Sequence, residues 1–136
     1  MTPQLAFLHS AEASLVLECC ANAAPLWRHL GARVELGELA PLADARTAAS
    51  FSLDEDVPLS TAPPVGLGWF GPAVLRLSRA GQACVPVFGA AEVSQADDAI
   101  TISLRDGHAG VLLEQHITLD LGGVFLFDKD NRRCGK

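Results

Sequence analysis

Hydrophobic and polar positions alternate along much of this chain with a period of two, the period of a β-strand that has one face buried and one wet. Residues 100–119 show it most plainly. Ile100, Ile102 and Leu104 alternate with Thr101, Ser103 and Arg105. After Asp106-Gly107, Val111, Leu113, Gln115, Ile117 and Leu119 share one face, and Leu112, Glu114, His116, Thr118 and Asp120 share the other. Asp-Gly is a favoured hairpin dipeptide because it accepts positive φ, so this stretch predicts two antiparallel strands joined by a tight turn.

The same pattern recurs earlier. Residues 14–20 place Leu15, Leu17 and Cys19 on one face and Val16 and Glu18 on the other, and Leu26 to Leu30 returns after Asn22-Ala23-Ala24-Pro25. Alanine would permit a helix over 11–30, but Pro25 would break it, so 14–30 is expected to be a hairpin. Residues 73–79 alternate again, Ala80-Gly81 turns the chain, and residues 84–88 form a short strand that Pro86 confines to an edge. Between these lies a long stretch, 36–64, with Gly37, Pro41, Pro58, Pro63, Pro64 and the acids Asp54-Glu55-Asp56. Connections of that length in a small domain are commonly functional. Short strands with regular turn signals predict an all-β fold, an antiparallel β-sandwich.

Composition narrows the function classes. The 136 residues are 49% hydrophobic and 19% charged, which suits a packed core and not a disordered chain. A net charge of −6 and scattered Arg28, Arg33, Arg46, Arg76, Arg79 and Arg105 provide no basic footprint, so no nucleic-acid partner is expected. No secretory leader or membrane span is evident, and a cytoplasmic location is the expectation. Cys19, Cys20, Cys84 and Cys134 lack paired metal-ligand spacing, so free thiols are expected, with neither metal nor cofactor.

Candidate chemistry is sparse. Asp54 and Asp56, or Asp128 and Asp130, could share a strand face, as a glycosidase acid pair would need, but solvated loop acids look the same in sequence. His9, His29, His108 and His116 share no motif, and no G-x-S-x-G elbow accompanies them. The glycines of Gly66-Leu67-Gly68-Trp69-Phe70-Gly71 precede Pro72 and a strand pattern, not the helix N-terminus a phosphate loop requires. Trp69 and Trp27 are the aromatic candidates for stacking on a sugar ring, Trp69 the better of the two; the plainer reading buries them in the core.

The chain also resembles the opening of the family 36 glycoside hydrolases, the large bacterial α-galactosidases. The resemblance covers residues 5–121. It rests on Leu8-His9, Ser14-Leu15, Leu26, His29-Leu30, Gly31-Ala32-Arg33, Ser52-Leu53-Asp54, Pro58-Leu59, Gly66, Gly68, Phe70, Pro72-Ala73, Leu104-Arg105-Asp106, Gly110 and Leu112. It implies a non-catalytic N-terminal β-supersandwich over 1–127, followed here by a polar C-terminal tail, 128–136. It further implies an enzyme that hydrolyses α-galactosides with retention, through two aspartates of a separate barrel. Neither aspartate's motif occurs in this sequence, so no catalytic residue carries over and no turnover by the chain alone is expected. The implied role is structural, through self-association or contact with a catalytic barrel, with loop 41–71 walling a neighbour's site and Asp44 and Trp69 as substrate contacts. The module normally continues beyond residue 127, so the sandwich reads as incomplete. A stand-alone carbohydrate-binding sandwich is the alternative.

Overall fold

The structure, a computed structural model, describes residues 4–39, 58–64, 69 and 71–133. Among these the fold is all-β and antiparallel. The strands are β1 (Gln4–His9), β2 (Ala13–Cys19), β3 (Leu26–Ala32), β4 (Leu77–Arg79), β5 (Gln82–Cys84), β6 (Ala90–Gln95), β7 (Ala99–Asp106), β8 (Val111–Leu119) and β9 (Phe125–Arg133). A single 3-10 turn, Leu36–Glu38, follows β3. No helix among the described residues is long and apolar enough to cross a membrane.

Every strand pairs with its neighbour in sequence, giving sheets β1-β2-β3, β4-β5 and β6-β7-β8-β9. The first and last of these face each other across one core. Leu8 pairs with Leu15 and Ala6 with Leu17 on the smaller sheet. On the larger sheet Ile100 pairs with Ile117 and Leu104 with Leu113. These side chains are all buried and, with Ile102, Ala62 and Phe88, form a single cluster. The period-two pattern therefore finds its faces: a one-residue slip would turn every one of these groups to water.

Both hairpins expected over 14–30 and 100–119 are present. The second is closed by four residues, 107–110, and not by a two-residue turn. The reason is Asp106, whose carboxylate accepts the backbone N–H groups of His108 and Ala109 at 2.8 and 2.9 Å, winding the loop around itself.

Three expectations are corrected. The strand foreseen at 84–88 is displaced to Gln82–Cys84, because Ala80 and Gly81 both adopt positive φ (49° and 79°) and close a two-residue turn that pairs Leu77 with Cys84. Pro86 is fully buried, not an edge residue, while Val85 and Val87 are exposed. The polar stretch from Asp128 is no tail as far as Arg133, since it forms the second part of β9 and pairs residue for residue with β8.

Candidate ligand-binding cleft

A cleft of about 420 Å³ opens between the start of β3, the second half of β8, the first half of β9, and the segments around Thr61 and Val74. That volume lies within the range of small-molecule sites. Trp27, Thr61, Val74, Gln115, His116, Ile117, Phe127, Asp128 and Lys129 line it.

Local backbone chemistry positions each wall. The β2–β3 register shifts between Val16 and Leu17, so that Val16 faces His29 and Leu17 faces Trp27. This bulge places Arg28 opposite no residue of its own, and its guanidinium pairs with Glu18. Bulges of this kind redirect a side chain, and here Trp27 packs edge-on against Phe127 at 5.8 Å between ring centres. The segment around Ser60 is tied to β3 by Trp27 N–H donating to Leu59 O (2.9 Å) and Thr61 N–H donating to Pro25 O (2.8 Å). Gln115 Nε2 then donates to Thr61 O at 2.8 Å, fastening that segment to β8. Lys129 reaches across the cleft and donates through Nζ to Val74 O at 2.9 Å.

Two polar atoms here lack a partner: Thr61 Oγ1 and Gln115 Oε1, both buried. Most buried side-chain oxygens are hydrogen-bonded, because an unpaired one gives up its solvation without return. A hydroxyl that donates and accepts, next to an amide carbonyl that accepts, beside an indole and a phenyl ring, suits a small ligand bearing hydroxyl groups and an apolar ring face. The Lys129 ammonium retains further donors for the same ligand.

Of the residues singled out by sequence, Trp27, His116 and Asp128 line the cleft. Trp69 is half-buried and does not line the cleft; its indole Nε1 donates to Pro72 O at 3.0 Å. The ring lies so close to Gly71 that a Cβ there would come within 2.5 Å of it, so the Nε1–Cζ2 side of the indole lies against the chain's own backbone. Asp44, Asp54 and Asp56 fall outside the described residues, as does most of loop 41–71. Trp27, the weaker aromatic candidate, lines the cleft. Gln115 and Thr61 carried no motif, and the only sequence signal was a polar Gln on the otherwise apolar face of β8.

The other polar constellations are structural. His9 Nδ1 and Ser14 Oγ share a 2.7 Å hydrogen bond, but Ser14 is fully buried and its oxygen also accepts Val34 N–H at 3.1 Å. His29 Nε2 meets Ala32 O at 2.7 Å, and His116 Nδ1 meets Thr101 Oγ1 at 3.3 Å. Among the described residues no three His, Cys, Asp or Glu side chains gather as a metal site. Cys19, Cys20 and Cys84 are free. Burial raises the thiol pKa of Cys19, with Cys20 beside it adding to the effect, and burial followed by the Glu18 charge raises that of Cys20. Raised thiols are poor nucleophiles.

Set against family models, curated proteins and solved structures, the chain matches none.

Proposed function

We propose that this chain is a non-catalytic β-sandwich module that binds a small polyhydroxylated ligand of the carbohydrate class in the Trp27–Gln115 cleft. The observation that carries the reading is the pair of buried, unpartnered oxygens, Thr61 Oγ1 and Gln115 Oε1, beside the Trp27 and Phe127 rings. Rotation of the Thr61 and Gln115 side chains toward the cleft brings those two atoms to the hydroxyl groups of a sugar, whose C–H face packs on an aromatic ring. Among the described residues the cleft offers one carboxylate, Asp128, and one imidazole, His116. Retaining glycoside hydrolysis uses two carboxyl groups about 5–5.5 Å apart, so binding without turnover is the better fit to the lining. The resemblance to the α-galactosidase opening supplies the first probes, melibiose and raffinose.

Titration of the chain with galactose, melibiose and raffinose, followed by tryptophan fluorescence, tests this. A saturable change that is lost in Trp27→Ala and kept in Trp69→Ala is expected. Gln115→Ala should weaken binding by about 10-fold, the size of one hydrogen bond left unmade. Absence of any saturable response across a panel of neutral and acidic saccharides would remove the proposal.

A second reading, a structural module that packs on a separate catalytic barrel, is favoured by the exposed apolar side chains of Leu121, Val124, Leu126 and Phe127 around the start of β9. Both readings expect no p-nitrophenol release from an α-galactoside by this chain, and turnover would overturn both.

A further inference from the structure

We infer that the ligand of the Trp27–Gln115 cleft is an acidic sugar, a hexuronic acid whose carboxylate is held by the Lys129 ammonium. The inference rests on the carbohydrate-binding reading above and adds to it the charge of the ligand. Strand alternation decides which ionisable side chains reach the cleft. Gln115 pairs with Lys129 and Ile117 with Phe127 across β8 and β9, and Ile117 and Leu113 belong to the core. These four side chains of the two pairs therefore lie on the core-facing side of the sheet. His116 and Asp128 form the intervening pair and share the opposite face. Contacts on that face agree: His116 Nδ1 meets Thr101 Oγ1 at 3.3 Å, and Arg132 Nε lies 2.9 Å from Asp130 and 3.6 Å from Glu114. Asp128 Oδ1 turns back to accept the Lys129 backbone N–H at 2.8 Å. Both residues border the cleft while their ionisable groups belong to the other side of the sheet.

Among the described residues, Lys129 is then the formal charge that projects into the cleft. Its Nζ donates to Val74 O, a neutral acceptor, at 2.9 Å, and it joins none of the ion pairs among those residues. Two further ammonium protons are left for a ligand. A carboxylate is the acceptor that answers such a cation, because a charge-assisted hydrogen bond is stronger than one to a neutral oxygen. No second Lys or Arg lines the cleft among the described residues, so a monoanion suits it better than a phosphate dianion. The cross-strand pair also sets where the charge sits on the ligand. Side chains directly opposite on neighbouring strands start about 5 Å apart, so the Gln115 amide and the Lys129 ammonium emerge side by side. A hexuronic acid carries its carboxylate and a hydroxyl on adjacent ring carbons, and one edge of it meets both groups once the Gln115 amide turns toward the cleft. The net charge of −6 disfavours anions over the molecule as a whole, so a preference for one reports this local ammonium.

Galactose and galacturonic acid differ only at C6, a hydroxymethyl group against a carboxylate, and the ratio of their dissociation constants is the test. Read by tryptophan fluorescence on the full chain at neutral pH, galacturonate should bind about 5-fold more tightly, the size of a solvent-accessible ion pair. Added sodium chloride should shrink that preference, because the ammonium is exposed and therefore screened. Lys129→Met should bring the ratio to about one, and Lys129→Arg, which keeps the charge, should retain most of the preference. Equal binding of the two sugars, or a preference that survives Lys129→Met, overturns the inference and leaves the carbohydrate-binding reading standing. A saturable response to neither sugar nor to any other saccharide of the panel removes both.

Discussion

Asp106 shows how much one residue organises. It is 2% exposed, yet its carboxylate accepts three backbone N–H groups: those of His108 and Ala109 in its own loop, and that of Val87 at 2.8 Å from a segment far along the chain. Burial alone would raise its pKa, but those three donors, Ala109 foremost, together with the His108 charge, hold it below the ordinary value of 3.8. The unfolded carboxyl therefore takes up its proton first as pH falls. The stabilisation is complete above about pH 5 and is lost as pH drops through the folded pKa, below the unfolded one. Asp106→Ala should cost about 2–4 kcal/mol at pH 7 in urea unfolding, with three donors left unpaired. It should also flatten the loss of stability between pH 5 and 3 relative to the parent chain; an equally steep loss would show that other carboxylates carry it. Sequence marks Asp106 only as half of a turn dipeptide, because its third donor arrives from a part of the chain that local pattern does not connect to it.

At the scale of elements, turn chemistry decides where strands lie. Ala80 adopts φ 49°, a conformation costly to any residue with a Cβ, and next to Gly81 it closes the β4–β5 hairpin. Ala80→Gly should therefore stabilise the chain by about 0.5–1 kcal/mol, read as a rise in thermal midpoint. An unchanged or lower midpoint would mean that the turn relaxes away from that geometry. Alternation made β7 and β8 legible because each buries one face against the core, whereas β2 buries Ser14 to Leu17 on both faces and β3 is only partly buried. It did not reveal β6, whose Ala90-Ala91-Glu92-Val93-Ser94-Gln95 has few large apolar groups. Nor did it reveal the second part of β9, whose side chains alternate between polar and polar. Those segments are strands because β7 and β8 offer them a ladder, which is a property of the neighbour.

The whole molecule depends on one core shared by two sheets. Leu8, Leu15 and Leu17 of the smaller sheet are buried with Ile100, Ile102, Leu104 and Leu113 of the larger. Removing Leu104, which is fully buried, should cost about 2–5 kcal/mol as Leu104→Ala. Because Trp27 sits on the smaller sheet and Leu104 on the larger, tryptophan fluorescence and far-UV circular dichroism should still report one coincident transition. Separate transitions would mean that the sheets unfold independently. Considered by itself, the sequence determined the all-β class, the two principal hairpins and the side chains that face the core, since a period of two combined with turn residues is local physics. Only tertiary structure decided that Trp27 borders the cleft and that Gln115 and Thr61 meet across 54 residues. Those outcomes depend on which surfaces face each other once the sheets have packed, and no local stretch of chain encodes that distance.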